Sequence, residues 1–420
     1  MPSSHTIVGI DIGTSKVVVT VAEPNSAGVP RVVGAGMSRT RGMRAGAIVS
    51  FDDVAQAVAA AVSQAETTSG RQITSAWVTF SGNHVACENA SGGTTLTNHP
   101  HEIHEILDPD IQKALAAARP SPAEVGREVV LVVPRTFTVD GVHGITDPIG
   151  ITGHRLDAQT HVVTASTSQI NNLVRAVPGS IIVRELVTQG LASGESVATP
   201  DERGLGCVVI DIGAGTTDIS VFIDGAIWHT AVLAFGGQNC TNDIAYVLRT
   251  PVAEAEALKV EHAHAIPAEA DDDQSIGVSL HNRSHDTVSA RYISEIVSAR
   301  VVDIFEKVRE ELGRSGLTGA LSAGAILTGG TATLPGIETL AESVLGMPVR
   351  VGTPGAANNL GESFRSPAYA AAVGVVAYGC RVELAAAHVV AKPSAVGGFV
   401  DTVRRMFFGS GQSDTRSVTR

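Results

Sequence analysis

The sequence predicts an α/β protein of two similar lobes around one cleft, and three observations carry that prediction. Two loops of the same make-up stand about two hundred residues apart, Gly9-Ile10-Asp11-Ile12-Gly13-Thr14-Ser15-Lys16 and Val209-Ile210-Asp211-Ile212-Gly213-Ala214-Gly215-Thr216-Thr217-Asp218. Each is preceded by apolar or β-branched residues and runs straight into a second β-rich stretch, Val17–Val21 or Ile219–Ile223. A third glycine turn, Gly329-Gly330, closes the apolar run Ala325-Ile326-Leu327.

Strand, tight turn, strand is thus used twice. The turn needs glycine where its backbone takes φ > 0 or approaches a ligand closely. Successive amides in such a turn, with Thr and Ser hydroxyls beside them, form a nest for phosphate oxygens. An Asp beside a phosphate repels it unless a hard cation such as Mg²⁺ lies between them. One such turn alone is most often a plain hairpin; two, each with its Asp and hydroxyls in register, reverse the odds. Neither loop is G-x₄-G-K-[S/T] or G-x-G-x-x-G. Lysine is scarce, at positions 16, 113, 259, 307 and 392, and Lys16 closes the first loop.

Along the chain, Arg31–Gly36 predicts a third strand. The pair Asp52-Asp53 caps a helix over Ala55–Glu66, with small apolar residues on a helical period, and Ile73–Phe80 returns as a strand. From Gly82 to about His161 the character changes to a compact α+β insertion with one helix, Asp108–Ala118, and two strands, Val129–Val133 and Thr136–Val139. The second half begins near Gly204 and ends near Pro354, and a helix through Tyr369–Gly379 follows, regular structure fading around Val390. Residues 265–290, with the Asp271-Asp272-Asp273 run, read as an exposed loop.

The Gly329-Gly330 turn leads to a helix starting near Pro335 and suits the flat face of a nucleoside, although strand–GG–helix turns are common. Glu256 and Lys259 stand three residues apart, on one helical face. The plain reading is a surface ion pair of little worth.

At 420 residues the chain can bury more than one core. A formal net charge of −12 without a basic stripe argues against nucleic acid as a partner. Cys87, Cys207, Cys240 and Cys380 show no C-x-x-C or metal spacing, as expected of reduced thiols in a cytosolic protein. Neither a signal peptide nor an apolar run of the ~18 residues that would span a bilayer is expected. His101-Glu102-Ile103-His104-Glu105 fails as H-E-x-x-H, because Glu105 stands where the second His belongs.

The C-terminus carries a second signal. After the linker-like Lys392-Pro393-Ser394-Ala395, the segment Gly398–Phe408 puts Phe399, Val400, Val403, Met406 and Phe407 on one arc of a helical wheel. Asp401, Thr402, Arg404 and Arg405 take the other side, and Phe408 is the misfit. Bulky apolar residues beside arginines, on a tether, suit the interface of an anionic membrane; a terminal helix packed on the body is the alternative. One short helix binds modestly, so firm attachment would need oligomerisation.

The two hairpins, the Gly-Gly turn and their order resemble the actin/hexokinase/chaperone ATPase superfamily. Within it the chain resembles, over nearly its whole length, the bacterial cell-division FtsA family. The residues that carry this are Gly42-Met43-Arg44 with Gly46 and Ile48-Val49, Ser81-Gly82-Asn83-His84, Val139-Asp140-Gly141 with Asp147-Pro148, and Gly153-His154-Arg155-Leu156. Gly190-Leu191-Ala192-Ser193, Gly236-Gly237 with Thr241, Asp243-Ile244-Ala245, Ala255-Glu256, Leu258-Lys259 and Leu327-Thr328-Gly329-Gly330 continue it, as does the terminal amphipathic segment.

The resemblance implies an actin-like two-lobed ATPase fold with an FtsA-type α+β subdomain inserted at 84–161. Residues 1–83, 162–198 and 368–390 would form the first lobe's core, and 199–235 with 304–367 the second's. Residues 236–303 would be the second lobe's small subdomain, 391–397 a linker, 398–408 the membrane helix and 409–420 a disordered tail. ATP and Mg²⁺ are implied between the lobes, with Asp11 and Asp211 as metal-side carboxylates. Gly13, Thr14, Ser15, Lys16, Gly213, Ala214, Gly215, Thr216 and Thr217 would cradle phosphate; Gly236, Gly237, Glu256, Lys259, Gly329 and Gly330 would hold the nucleoside. Gln189 falls where related ATPases orient water, a position that varies within the family. Arg300 and Asp303 fall in the stretch resembling the site for the C-terminal tail of the division protein FtsZ. The implied protein polymerises, docks other division proteins on residues 84–161, and tethers the FtsZ ring to the cytoplasmic face of the membrane at the division site with at most weak ATPase activity. An adaptor for pilus assembly or cell shape, or a small-molecule kinase of the same superfold, is the competing expectation. The turn Thr331-Ala332-Thr333 departs from the family's Gly/Ala-rich pattern.

Overall fold

The computed structural model describes residues 6–25, 29–99, 101–120, 124–271, 275–280, 285–355 and 362–391. Two five-stranded sheets share one strand order. In the first, Ile7–Ile12 pairs antiparallel with Lys16–Pro24, which pairs with Pro30–Arg39; Ser75–Phe80 and then Ile182–Thr188 add in parallel on the other side. In the second, Cys207–Ile212 pairs antiparallel with Thr217–Ile223, which pairs with Ala226–Leu233; Ala325–Thr328 and then Val349–Val351 add in parallel. The duplication legible in the two loops therefore extends to whole sheets.

Ile7–Ile12 and Cys207–Ile212 are buried along their whole length, as apolar runs become when helices cover a sheet. In the first lobe the helix Phe51–Ser69 packs on Lys16–Pro24 and Pro30–Arg39. The helix Ala370–Ala391 packs on Ile7–Ile12 and on the helix Gln189–Val197. A Cβ on Gly374 would stand 1.6 Å from the Ala192 carbonyl oxygen, so these two helices meet backbone to backbone. The second lobe has its own core, in which Ile210, Ile219, Ile244, Val297, Phe305 and Leu327 are buried together.

The insertion is a four-stranded sheet in the order Val142–Ile145, Arg127–Val139, Arg155–Ser166, Ala86–Thr95, with the helix Asp108–Ala117 against it and Ile106, Ile111, Phe137 and Leu156 as its core. The two strands expected at 129–133 and 136–139 are one, Arg127–Val139. Pro134 does not end it, because a register irregularity opposite Gln159 and Thr160 leaves Arg135 over and absorbs the missing N–H.

The expected loop at 265–290 also carries more order. A hairpin, Ser275–Ser279 with His285–Ser289, sets Ile276 opposite Val288, and Ile276 and Val278 are buried. The apolar alternation of Ile276 and Val278 decides it, and of the paired residues only Asp286, opposite Val278, is an acid. The helix after the Gly-Gly turn is Ile337–Leu345, preceded by a 3₁₀ turn at Gly330–Thr333. Among the described residues no helix is long and apolar enough to cross a membrane. The linker from 392 on and the membrane segment, with Phe399, Val400, Val403, Arg404, Arg405, Met406, Phe407 and Phe408, lie outside the described residues, as does the tail 409–420.

Candidate nucleotide site

The two hairpins deliver matched turns to one cleft. Gly13 N donates to Lys16 O at 3.0 Å and Gly213 N to Thr216 O at 2.9 Å, so both loops close the same way. Asp11 sits opposite Val18 and Asp211 opposite Asp218 in the two ladders. The loops touch: a Cβ on Gly215 would lie 2.7 Å from Thr14 Oγ1. Around them opens a cleft of about 830 Å³.

Side chains from elsewhere in the chain orient the carboxylates. Thr79 Oγ1 donates to Asp11 Oδ1 at 2.6 Å and Gln189 Nε2 donates to the same oxygen at 2.9 Å. Ser193 Oγ donates to Asp211 Oδ2 at 2.5 Å. Ser81 Oγ donates to Asp218 Oδ2 at 2.8 Å, while Asp218 Oδ1 is buried with no hydrogen-bond partner among the described residues.

Three buried acids in one place are poorly compensated. Burial pushes Asp11 above the usual carboxylate range, against the Thr79 and Gln189 hydrogen bonds. Burial, with the Asp11 charge adding to it and the Ser193 hydroxyl opposing, pushes Asp211 up to about 6. Asp218 is driven well above its ordinary value by burial and then by Asp211. Lys16, whose Nζ stands 3.7 Å from the Tyr369 ring centroid, is pulled down by burial although Asp11 and Asp211 favour its charged form. A site short of positive charge in this way fits a hard divalent cation. Among the described residues no group of three or more His, Cys, Asp or Glu forms a cage by itself. Such a cation would complete its shell from phosphate and water, as Mg²⁺ does.

The far end of the cleft is set by the second lobe. Gly237 N donates to Gly213 O at 2.9 Å, seating the helix Gly237–Leu248 on the second loop. Lys259 Nζ reaches Gly237 O at 3.1 Å, Thr241 Oγ1 at 2.8 Å and Glu256 Oε2 at 2.7 Å, and Thr241 also donates to Glu256. The Glu256–Lys259 pair is therefore a braced wall of the cleft, with Lys259 mostly buried. Gly329 has φ +87° and a Cβ there would lie 2.3 Å from Asp211 Oδ1, so glycine is required. Thr331 Oγ1 donates to Gly213 O at 3.2 Å, giving the departure from the family pattern a structural use.

Asp11, Gly13, Thr14, Ser15, Lys16, Gln189, Asp211, Gly213, Ala214, Thr216, Gly237, Glu256, Lys259, Gly329 and Gly330 all line the cleft. Gly215, Thr217 and Gly236 stand behind that lining: Thr217 Oγ1 donates to Phe235 O at 2.9 Å, and a Cβ on Gly236 would meet Gly213 O at 2.6 Å. Arg300 and Asp303 lie apart from it on the helix Ala290–Ser315, which runs through the 303/304 boundary, and Arg300 holds Asp243 at 2.7 Å and Asp303 at 2.8 Å. Sequence reasoning missed Thr79, Ser81, Ser193, Asp218 and Tyr369 as site residues. Asp218 stood inside the second loop's own motif, and Ser81 and Ser193 inside quoted stretches; nothing local marked Thr79 or Tyr369.

Comparison with known proteins agrees with this architecture. The model of the family "Cell division protein FtsA" matches residues 208–374, and that of the "SHS2 domain inserted in FTSA" matches 82–164. The cell division protein FtsA of Pseudomonas aeruginosa is 37% identical over 379 residues, 90% of each chain. The chain belongs to the FtsA family. The FtsA of Escherichia coli is 34% identical over 382 residues, covering 89% of this chain and 90% of that one. The FtsA of Bacillus subtilis is 34% identical over 383 residues, covering 91% and 85%. Among solved structures, the PilM–PilN type IV pilus biogenesis complex is 16% identical with a TM-score of 0.61, covering 89% of this chain and 98% of that chain. MreB5 of Spiroplasma citri bound to ADP is 12% identical with a TM-score of 0.55, covering 91% and 98%. These two likenesses concern the fold alone: this FtsA-family chain is an actin-like cell-division protein with the SHS2 insertion, and the pilus and cell-shape alternatives share its architecture without its sequence.

Proposed function

We propose that this chain is an ATP-binding adaptor of the division ring, which polymerises and fastens FtsZ to the cytoplasmic face of the membrane at the division site. The observation that carries this reading is the pair of matched hairpins bringing Asp11 and Asp211 to one cleft from two sheets of identical strand order. Asp11 and Asp211 would hold Mg²⁺ through its water and the phosphates, the two loop backbones with Lys16 would receive the polyphosphate, and Gly237, Glu256, Lys259, Gly329 and Gly330 would border the nucleoside. When bound, the cation neutralises phosphate charge against the buried carboxylates. MreB5, of the same fold, is known with ADP and with AMPPNP.

Because each lobe supplies half of the site, a nucleotide favours the one lobe arrangement in which both halves face it. Differential affinity for two states is sufficient for a switch, and turnover is secondary. Gln189 is the candidate for orienting water; its amide nitrogen is already committed to Asp11. Arg300 and Asp303 are proposed as the seat of the FtsZ tail, the segment 398–408 as the anchor to anionic lipid, and the insertion as the dock for other division proteins. The test is co-sedimentation with anionic vesicles in the presence of Mg·ATP, comparing the full chain with one ending at Lys392. Pelleting of the full chain alone is the expected result; pelleting of both or of neither overturns the anchor.

A further inference from the structure

The cleft has cations that the reading above does not use. The strand Pro30–Arg39 lies beside Lys16–Pro24 so that Arg39 stands directly opposite Lys16 in the ladder. Thr40 N donates to Ser15 O at 3.0 Å, which straps the chain just past that strand onto the first loop. Arg39 and Arg41, on either side of the strap, both line the cleft and are both exposed. Among the described residues neither side chain makes an ion pair or hydrogen bond, whereas Arg31, Arg184, Arg300, Arg350 and Arg381 each hold an acidic side chain. Like charges directly opposite on paired strands repel, so Lys16 with Arg39 costs the empty protein something that an anion between them would recover.

Position along the cleft tells which anion. The nucleoside end is walled by Glu256 and Lys259 of the second lobe, and the two loops meet at Thr14 and Gly215. A Cβ on Gly215 would also lie 3.1 Å from Ala45 N, so the segment that follows Arg41 abuts the meeting point of the loops. Arg39 and Arg41 thus belong to the phosphate end, on the chain that borders the loops rather than on the nucleoside wall. The cleft's ~830 Å³ is at the upper end of ordinary small-molecule sites and leaves room for a full triphosphate.

We propose that Arg39 and Arg41 read the terminal phosphate of a nucleoside triphosphate, so that they set the preference for triphosphate over diphosphate. This rests on the nucleotide reading above and deepens it. Guanidinium forks suit phosphate oxygens better than any other side chain, and these two are positioning and specificity groups that carry no bond-making role.

The test is calorimetric titration of the full-length protein with Mg·ATP and with Mg·ADP, for wild type, Arg39→Gln, Arg41→Gln, the double variant and Arg44→Gln. Arg44 is exposed, follows on the same segment and does not line the cleft, so it controls for general charge. The expected result is a loss of ATP affinity of about tenfold for each cleft variant, the worth of one charge-assisted bond at a wet site. ADP affinity is expected to stay within about twofold, with Arg44→Gln matching wild type on both ligands. Equal loss for ATP and ADP, or no loss for ATP, overturns the assignment while leaving the nucleotide site standing. Wild type binding neither ligand overturns the nucleotide reading and this inference with it. All five proteins are compared by thermal unfolding without ligand, and a variant that melts early is replaced by its lysine counterpart, which keeps the charge and loses the fork.

Discussion

Replacing Asp211 with asparagine puts the candidate site's own economy to the test. The wild-type carboxyl is pushed up to about 6 in the folded protein, against an ordinary value of 3.8. The folded state therefore holds its proton over a window in which the unfolded chain has lost it. Stability falls as pH rises through about 4 to 6, and the full cost is present at neutral pH. At 1.36 kcal/mol per pH unit, that cost is about 3 kcal/mol. Asparagine keeps the shape and still accepts the Ser193 hydrogen bond, but buries an amide at about 1 kcal/mol, so Asp211→Asn is expected to stabilise the ligand-free protein by about 2 kcal/mol at pH 7.5. Near pH 4 the gain should vanish. With Mg·ATP at a hundred times its dissociation constant, wild type recovers about 2.7 kcal/mol while the variant recovers little, and the order reverses. Thermal unfolding by scanning fluorimetry across pH, with and without Mg·ATP, reads both effects. A variant that is less stable than wild type without ligand at pH 7.5, or that gains as much as wild type from Mg·ATP, refutes the reasoning.

Two further outcomes follow from other parts of the molecule. His161 is fully buried between Asn89 Oδ1 at 2.9 Å and Thr230 Oγ1 at 3.0 Å, and burial, with His229 and Arg135 nearby, pulls it down to about 3. Its folded value is depressed, so stability is intact above about pH 6.5 and is lost below it at up to about 1.4 kcal/mol per pH unit; His161→Gln should flatten that acid limb in a pH series of urea melts, and an unchanged limb would count against it. Arg300→Glu places a third carboxylate beside Asp243 and Asp303, and is expected to lower affinity for an FtsZ tail peptide at least about tenfold while Mg·ATP affinity holds; an unchanged peptide isotherm moves the docking site elsewhere.

The insertion is joined to the second lobe by more than chain connectivity. His161 reaches Thr230, Asn89 Nδ2 donates to Trp228 O at 3.0 Å, and Arg135 lies 3.5 Å from the Trp228 ring centroid. Both lobes therefore hold the SHS2 subdomain, the first through its strand ends and the second through this polar seam.

By itself the sequence determined the two hairpins, the Gly-Gly turn, the insertion and the order in which they come. Each of these is written in contiguous residues: a turn needs its glycine, its Asp and its hydroxyls within a few positions, and a strand shows its alternation or apolar run locally. Most of the residues it named for the nucleotide do line the cleft, because loops carry them in runs. Only the tertiary structure decided what those residues experience. Thr79 arrives at Asp11 from the end of a strand 68 positions away, Gln189 from 178 positions away, and Ser193 crosses between lobes to Asp211. Parallel strands and crossover helices make these meetings, and no local pattern records which ends will coincide. The same holds for the hairpin inside the acidic stretch and for Pro134 within a strand, where a partner's register outvoted local propensity. The raised acids at the centre are likewise tertiary: burial of three carboxylates together is a property of the closed fold, and it is what gives the cleft its appetite for positive charge.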